Sequence, residues 1–153
     1  MQIIGFNFTK ISGEKIEKSL SPNTKKTLDF RFDEIEQEKA VDFLKDSSAI
    51  KVLFKHTLHY EPIDSQQKEK KKNLKKEAEL TFEGNLLLSL NFKEAEEINK
   101  LWKKKQISPE MRIFLSNFIL SKCTPKTLEL QQLLNIPSHL SLPRLNLNKQ
   151  ENN

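Results

Sequence analysis

Up to about residue 90 the apolar side chains recur at every second position, and from there to about residue 134 they recur at every third or fourth. A period of two belongs to a strand with one buried face, and a period near 3.6 to a helix with one buried stripe. This change of period dictates a β layer laid down first and helices that follow it. At 153 residues the chain has the length of one ordinary domain.

Residues 3 to 11 place Ile4, Phe6 and Phe8 on one face against Asn7 and Thr9. Residues 12 to 26 contain Gly13 and Pro22 among polar neighbours and are expected to be a connection. A second strand is predicted at about 27 to 35, with Leu28, Phe30 and Phe32 opposed to Asp29, Arg31 and Asp33. The stretch 34 to 48 fits neither period, because Val41 and Leu44 suit a helical turn and Val41 and Phe43 a strand; it is expected to be irregular. Residues 49 to 60 are the clearest strand, with Ile50, Val52, Phe54, Leu58 and Tyr60 on one side, ending at Glu61-Pro62, where Pro removes a ladder donor. A fourth strand at 77 to 90 aligns Ala78, Leu80, Phe82, Gly84, Leu86, Leu88 and Leu90. The run Leu86-Leu87-Leu88 breaks the alternation, which predicts cover on both faces at that end.

The helical part carries its own start signals. Asn91 with Glu94 three residues on forms a capping pattern, followed by Ala95, Ile98, Leu101 and Trp102 and by Lys103, Lys104 and Lys105 at the C-terminal end. Ser108-Pro109 opens a helix to about Cys123 that is apolar nearly all round, so it is expected in the core or in an oligomer interface. Thr124-Pro125 repeats the signal and predicts a separate short helix through Leu134. From Asn135 to Leu147 the chain reads as an extended strip of Leu and Pro. The expected architecture is α+β: a four-stranded antiparallel sheet followed by two to three helices. It forms a single domain over residues 1–147, with a lysine-rich loop inserted at about 62–76 and a frayed tail at 148–153.

The formal net charge of +5 is concentrated. Residues 1–61 hold ten basic and ten acidic side chains; residues 62–76 hold six Lys against Asp64 and Glu69, for +4; residues 77–153 hold ten against nine, for +1. Lys68, Lys70, Lys71, Lys72, Lys75 and Lys76 are therefore the candidate polyanion contact. With 23 Lys and three Arg, and Leu74 the only apolar residue in the run, they lack the forked donors and stacking rings of a sequence-reading surface. A solvated hairpin loop and a weak, salt-sensitive RNA contact both fit.

Signals for chemistry are sparse. The single Cys123 excludes a disulfide framework and suits a buried, inert thiol in a reducing compartment. His56 and His59 fall on opposite faces of a strand and cannot share a metal, and His139 is expected at the surface. Trp102 and most of the ten Phe are expected in the core. No phosphate loop, nucleophile elbow or zinc-binding helix motif occurs, so no enzyme activity, cofactor or metal is expected. The N-terminus has no leader pattern and no run approaches the roughly 18 apolar residues of a membrane span, which predicts a soluble, cytoplasmic protein.

From residue 83 onward the chain resembles the SecB-type export chaperones. EGNLLLSL is similar to the family's glycine-bearing last strand, with Gly84; Pro109-Glu110-Met111-Arg112 is similar to its P-x-x-R entry to the main helix; and Pro137 to Leu147 is similar to its proline and leucine strip, shifted by a residue. The likeness runs by motif over roughly the last 70 residues and by strand order over the first 82. The resemblance implies a homo-oligomer, a dimer or dimer of dimers, that holds unfolded or export-bound polypeptide in an apolar groove. Leu28, Phe30, Phe32, Leu140, Leu142 and Leu145 are the candidate peptide-binding residues. The chain departs from the family in its basic charge, in the short helix at 125–134 and in lacking a final helix, which puts contact with the translocation motor in doubt. Leu140, Leu142, Phe30 and Phe32 would equally serve to close the subunit's own core.

Overall fold

The computed structural model describes residues 1–38, 48–63 and 75–141. They form β1 (Gln2–Lys15), β2 (Thr24–Glu38), β3 (Ser48–Pro62), β4 (Ala78–Leu90), α1 (Phe92–Lys103) and α2 (Pro109–Leu133). The α+β expectation holds: the four strands make one antiparallel sheet in the order β1-β4-β3-β2, followed by two helices. Both helices pack on one face. Along β3 and β4 the side chains of Ile50, Val52, Phe54, Leu58, Tyr60, Ala78, Leu80, Phe82, Leu86, Leu88 and Leu90 are buried there against Ala95 of α1 and Met111, Leu115, Ile119 and Cys123 of α2.

The edge strands run further than their hydrophobic pattern. β1 extends to Lys15 and β2 from Thr24 to Glu38, absorbing both ends of the expected connection. An edge strand is covered on one side only, so its outer turns carry polar residues and lose the alternation that marks a strand. β1 is also bulged at Ile3/Gly5 and Phe8/Lys10, and β2 at Phe32/Glu34. The first bulge corrects the expected face: Ile3, Phe6 and Phe8 pair across from Leu88, Leu86 and Gly84 and pack on the core, whereas Ile4 is the inserted residue and is 42% exposed.

Cover on both faces at Leu86-Leu87-Leu88 is not found among the described residues. Leu87 is half-buried on the open face of the sheet because Gly5 of the bulged β1 lies against it; a Cβ there would stand 3.2 Å from Leu87 Cβ.

α1 begins as predicted. Asn91 Oδ1 accepts the Glu94 N–H at 2.8 Å, and the Asn91 N–H donates to the Glu94 carboxylate at 3.2 Å. Ser108 caps α2 by accepting the Met111 N–H at 3.2 Å, with Pro109 in the first turn. The separate helix at 124–134 does not exist: α2 runs unbroken for 25 residues with Pro125 inside it. Every fourth residue from Met111 through Leu115, Ile119, Cys123 and Thr127 to Gln131 is buried. That stripe crosses Pro125 without interruption, and its burial outweighs the roughly 3 kcal/mol that an interior Pro costs a helix. The rest of α2 is less enclosed than its composition suggests, with Ile113 and Phe114 exposed.

The chain leaves α2 through Asn135, whose φ of 51° lies in the left-handed region, and then crosses one end of the sheet on its helix face. Lys15, Ala78, Tyr60 and Lys26 form one row across the four strands there. Lys15 Nζ donates to the Asn135 carbonyl at 3.5 Å, the Tyr60 hydroxyl to the Pro137 carbonyl at 2.7 Å, and Lys26 Nζ to the Ser138 carbonyl at 2.9 Å, with Ile136 buried between them. At the same end, buried Glu77 anchors the β1–β2 crossing. Its carboxylate accepts the Ser21 N–H at 3.0 Å and the Ser21 hydroxyl, while its carbonyl accepts the Ile16 N–H at 2.8 Å.

Gly84 is a close-approach position. A Cβ added there would overlap the Asn7 carbonyl oxygen of the neighbouring strand and come within 2.9 Å of the Phe54 ring. Gly84→Ala is expected to lower stability by about 1–3 kcal/mol or more, since neither backbone nor core ring can yield cheaply. Gly5→Ala, opposed only by Leu87, is expected to cost less. Urea unfolding of both variants checks this, and equal midpoints would refute it.

Candidate functional site

The two sheet edges are β1 and β2, and β2 borders an opening. Its inner face carries Lys26, Leu28, Phe30 and Phe32 in succession. Lys26 holds the crossing tail. Leu28 is 44% exposed, Phe30 is half-buried, and Phe32 is 7% exposed. From Lys26 to Phe32 the strip spans about 20 Å at the usual rise per strand residue.

At the Phe32 end the strip opens into a cavity of about 800 Å³ between β2, the end of α1 and the start of α2. Phe30, Phe32 and Trp102 supply rings to its wall, and Leu101, Ile107 and Pro109 supply aliphatic surface. Behind the wall Phe30 is backed by a stack: its ring lies 4.3 Å from that of His56 at 12°, and His56 lies 5.9 Å from Phe82 at 17°. His56 acts here as a flat neutral plate. Burial pushes its pKa down, and its Nδ1–H donates to the Asp29 carbonyl at 3.1 Å.

Three cations and one carboxylate meet this cavity. Arg31 Nε is 2.8 Å from Asp33 Oδ1 and so spends its charge locally. Lys105 Nζ sits 4.5 Å over the Trp102 ring, and the Arg112 guanidinium lies 5.9 Å from the Phe32 ring. Lys105 is positioned by the end of α1, where it takes a φ of 55° and donates its N–H to the Trp102 carbonyl at 2.7 Å. Arg112 is positioned by the Ser108 cap, which starts α2 three residues earlier.

The structure thus brings Phe30, Phe32, Pro109 and Arg112 to one cavity, with Leu28 on the strip leading to it. Phe32 is chiefly a core residue, as its burial shows. Leu140 is 43% exposed at the other end of the strip, beyond the Lys26–Ser138 bond, and Gly84 lies inside the sheet. Leu142, Leu145, Lys68, Lys70, Lys71 and Lys72, with Val41, Phe43 and Leu44, fall outside the described residues. Lys75 and Lys76 are engaged within the chain, with Lys75 Nζ 2.6 Å from Glu17 and Lys76 Nζ 2.6 Å from Glu79. Lys76 holds the Glu79 carboxyl below its usual range.

Trp102 and Lys105 were not expected in a site, the first being assigned to the core and the second to the helix terminus. A Trp followed three residues later by Lys at a helix end, just before Ser-Pro, was the available signal. His56 and His59 lie on opposite faces as expected: His59 sits on the open face with Asp29 at 3.2 Å and Glu79 at 3.0 Å. Cys123 is fully buried and its pKa is pushed up to about 12 by burial, so the thiol stays protonated at neutral pH. No helix among the described residues is long and apolar enough to cross a membrane.

His139 is half-buried, which corrects its expected surface position. Its Nδ1 accepts a hydrogen bond from Gln131 Nε2 at 3.0 Å, and the same nitrogen donates to the Tyr60 hydroxyl at 2.6 Å. Burial, with Lys26 nearby, pushes the His139 pKa down.

No protein-family model matches the chain, and no curated protein does. Among solved structures, its fold is similar to that of the SecB-like chaperone Rv1957 of Mycobacterium tuberculosis, in complex with a ChAD peptide from the Rv1956 HigA1 antitoxin. The TM-score is 0.50 and the sequence identity 14%, with 95% of this chain and 90% of that one covered. At that identity the likeness is one of fold. It extends over nearly the whole chain the arrangement that the motifs suggested for residues 83–147.

The two lowered histidine pKa values fix the sign of a pH effect. A folded state that disfavours the imidazolium contributes its full stability above the ordinary pKa of 6.5 and loses it as pH falls below that value. The melting temperature is therefore expected to decline between pH 7 and 5, above the range in which Glu79 and Glu83 begin to protonate. His139→Gln should flatten part of this decline in thermal melts. A melting temperature constant from pH 7 to 5 would contradict the assignment.

Proposed function

We propose that this chain is a SecB-like holdase, which binds non-native polypeptide in extended form along β2 and does no chemistry on it. The observation that carries the reading is the aromatic cavity opening beside β2, an edge strand that pairs only with β3 among the described residues. An extended segment laid along β2 would find backbone donors and acceptors at the edge and apolar contacts at every second side chain. The strip from Lys26 to Phe32 is long enough for about six extended residues. Fold similarity to a SecB-like chaperone solved with a peptide supports the same reading. A holdase needs reversible, sequence-tolerant contacts, and rings with exposed leucines supply them without a catalytic group. Self-association fits the apolar side chains left open on α2, Ile113 and Phe114.

The test is suppression of aggregation of a chemically denatured client at stoichiometric ratios. Wild-type protein is expected to suppress it. Leu28→Asp, at an exposed site on the strip, should remain folded and weaken client affinity about tenfold, the effect of losing roughly 1.4 kcal/mol of apolar burial. Folded wild-type protein that leaves aggregation unchanged, or a Leu28→Asp variant that matches it, would rule the proposal out.

A further inference from the structure

We propose that the cavity at the β2–α1–α2 junction selects, among extended clients, those with an aromatic residue and a carboxylate two positions away from it. The inference rests on the holdase reading and specifies its ligand.

Three observations carry it. The cavity of about 800 Å³ has ring-bearing walls from Phe30, Phe32 and Trp102, which suits a flat apolar side chain. Its charge is one-sided among the described residues: of the charged residues that line it, Arg31 and Asp33 alternate with Phe30 and Phe32 along β2 and pair with each other, which leaves Lys105 and Arg112. Among the described residues neither of these two has a carboxylate partner. Glu110, in the first turn of α2, does not line the cavity. Both free cations are also held in place, each resting over a ring of the wall at 4.5 and 5.9 Å. A client carboxylate would meet cations already positioned.

The spacing follows from the strand. Side chains of a segment paired with β2 alternate in direction, so the residue sharing the cavity with an inserted ring lies two positions away, about 7 Å along the chain. An adjacent residue points to the opposite face. Cations with rings also suit single-stranded nucleic acid, but the β2 edge offers peptide-like donors and acceptors that a polynucleotide backbone does not match, and this favours a polypeptide.

Fluorescence anisotropy with three labelled nonapeptides that share one polar host sequence provides the test. One contains Phe-Ser-Asp, one Phe-Ser-Asn and one Phe-Asp-Ser. The first is expected to bind about five- to tenfold more tightly than the other two, and to lose that advantage in about 0.5 M salt. In K105Q/R112Q, and partly in K105Q alone, the ratio between the first two affinities should fall to about one; both substitutions are at exposed positions and circular dichroism verifies folding. Equal binding of Asp and Asn peptides to wild type would overturn the charge selection and leave the holdase reading standing. No binding of any peptide would overturn both. Oligouridine that binds more tightly than all three, and is released by K105Q/R112Q, would reassign the cavity to nucleic acid.

Discussion

The architecture depends on the two central strands burying every inward side chain on the same face. From Ile50 to Tyr60 on β3 and from Ala78 to Leu90 on β4 that face is closed almost continuously. A surface of this length needs an apolar backing of similar length, and α2 provides it with a stripe running from Met111 to Gln131. This is why the helix persists through Pro125. The opposite face of the sheet receives no helix among the described residues and carries charge pairs instead, such as Lys55 Nζ 3.0 Å from Glu83. Partly exposed pairs of this kind contribute little to stability, so the fold rests on one buried face.

The cavity follows from that arrangement. α1 lies toward β2 and β3 and α2 toward β4, and residues 104–108 make the short connection between them. The connection is tight: Lys105 takes a left-handed conformation that costs a non-glycine residue about 1 kcal/mol, and Ser108 then starts the next helix. The end of α1 and the start of α2 lie beside β2, whose register shifts at the bulge between Phe32 and Glu34. The space left between them is lined by the residues that make the turn. Its rings and cations are therefore placed by backbone constraints at the helix ends.

Much of this was legible in the amino-acid sequence, and the remainder was hidden for definable reasons. The inward residues of β3 and β4, the Asn91–Glu94 and Ser108–Pro109 starts and the opposed faces of His56 and His59 follow from periodicity, because strands and helices buried on one side display it. Ile4 was assigned to the wrong face because a bulge changes parity without changing composition. Pro125 suggested a helix start because its local signal is strong, while the burial of Cys123, Thr127 and Gln131 that overrides it is a tertiary effect. Three of the four residues of the candidate strip, Leu28, Phe30 and Phe32, were visible in the alternation. Trp102 and Lys105 were not recognised, since their role depends on the α1–α2 connection bringing them beside β2.

Charge illustrates the same dependence on placement. The lysine run at 62–76 holds +4 of the net +5, yet the two lysines at its described end each lie against a carboxylate of the chain. The cations at the cavity, Lys105 and Arg112, come from a region whose net charge is only +1. A count of charges along the sequence therefore points to the loop, whereas their arrangement in space points to the helix junction. What separates the two is pairing: Lys75 and Lys76 are spent on Glu17 and Glu79, whereas Lys105 and Arg112 rest over rings of the cavity wall with no carboxylate partner among the described residues, so their field is directed at the cavity. Recognition of an anionic group depends on that field where the ligand sits, so under the proposed reading two cations at the β2 edge would discriminate between clients even in a chain whose formal excess lies elsewhere.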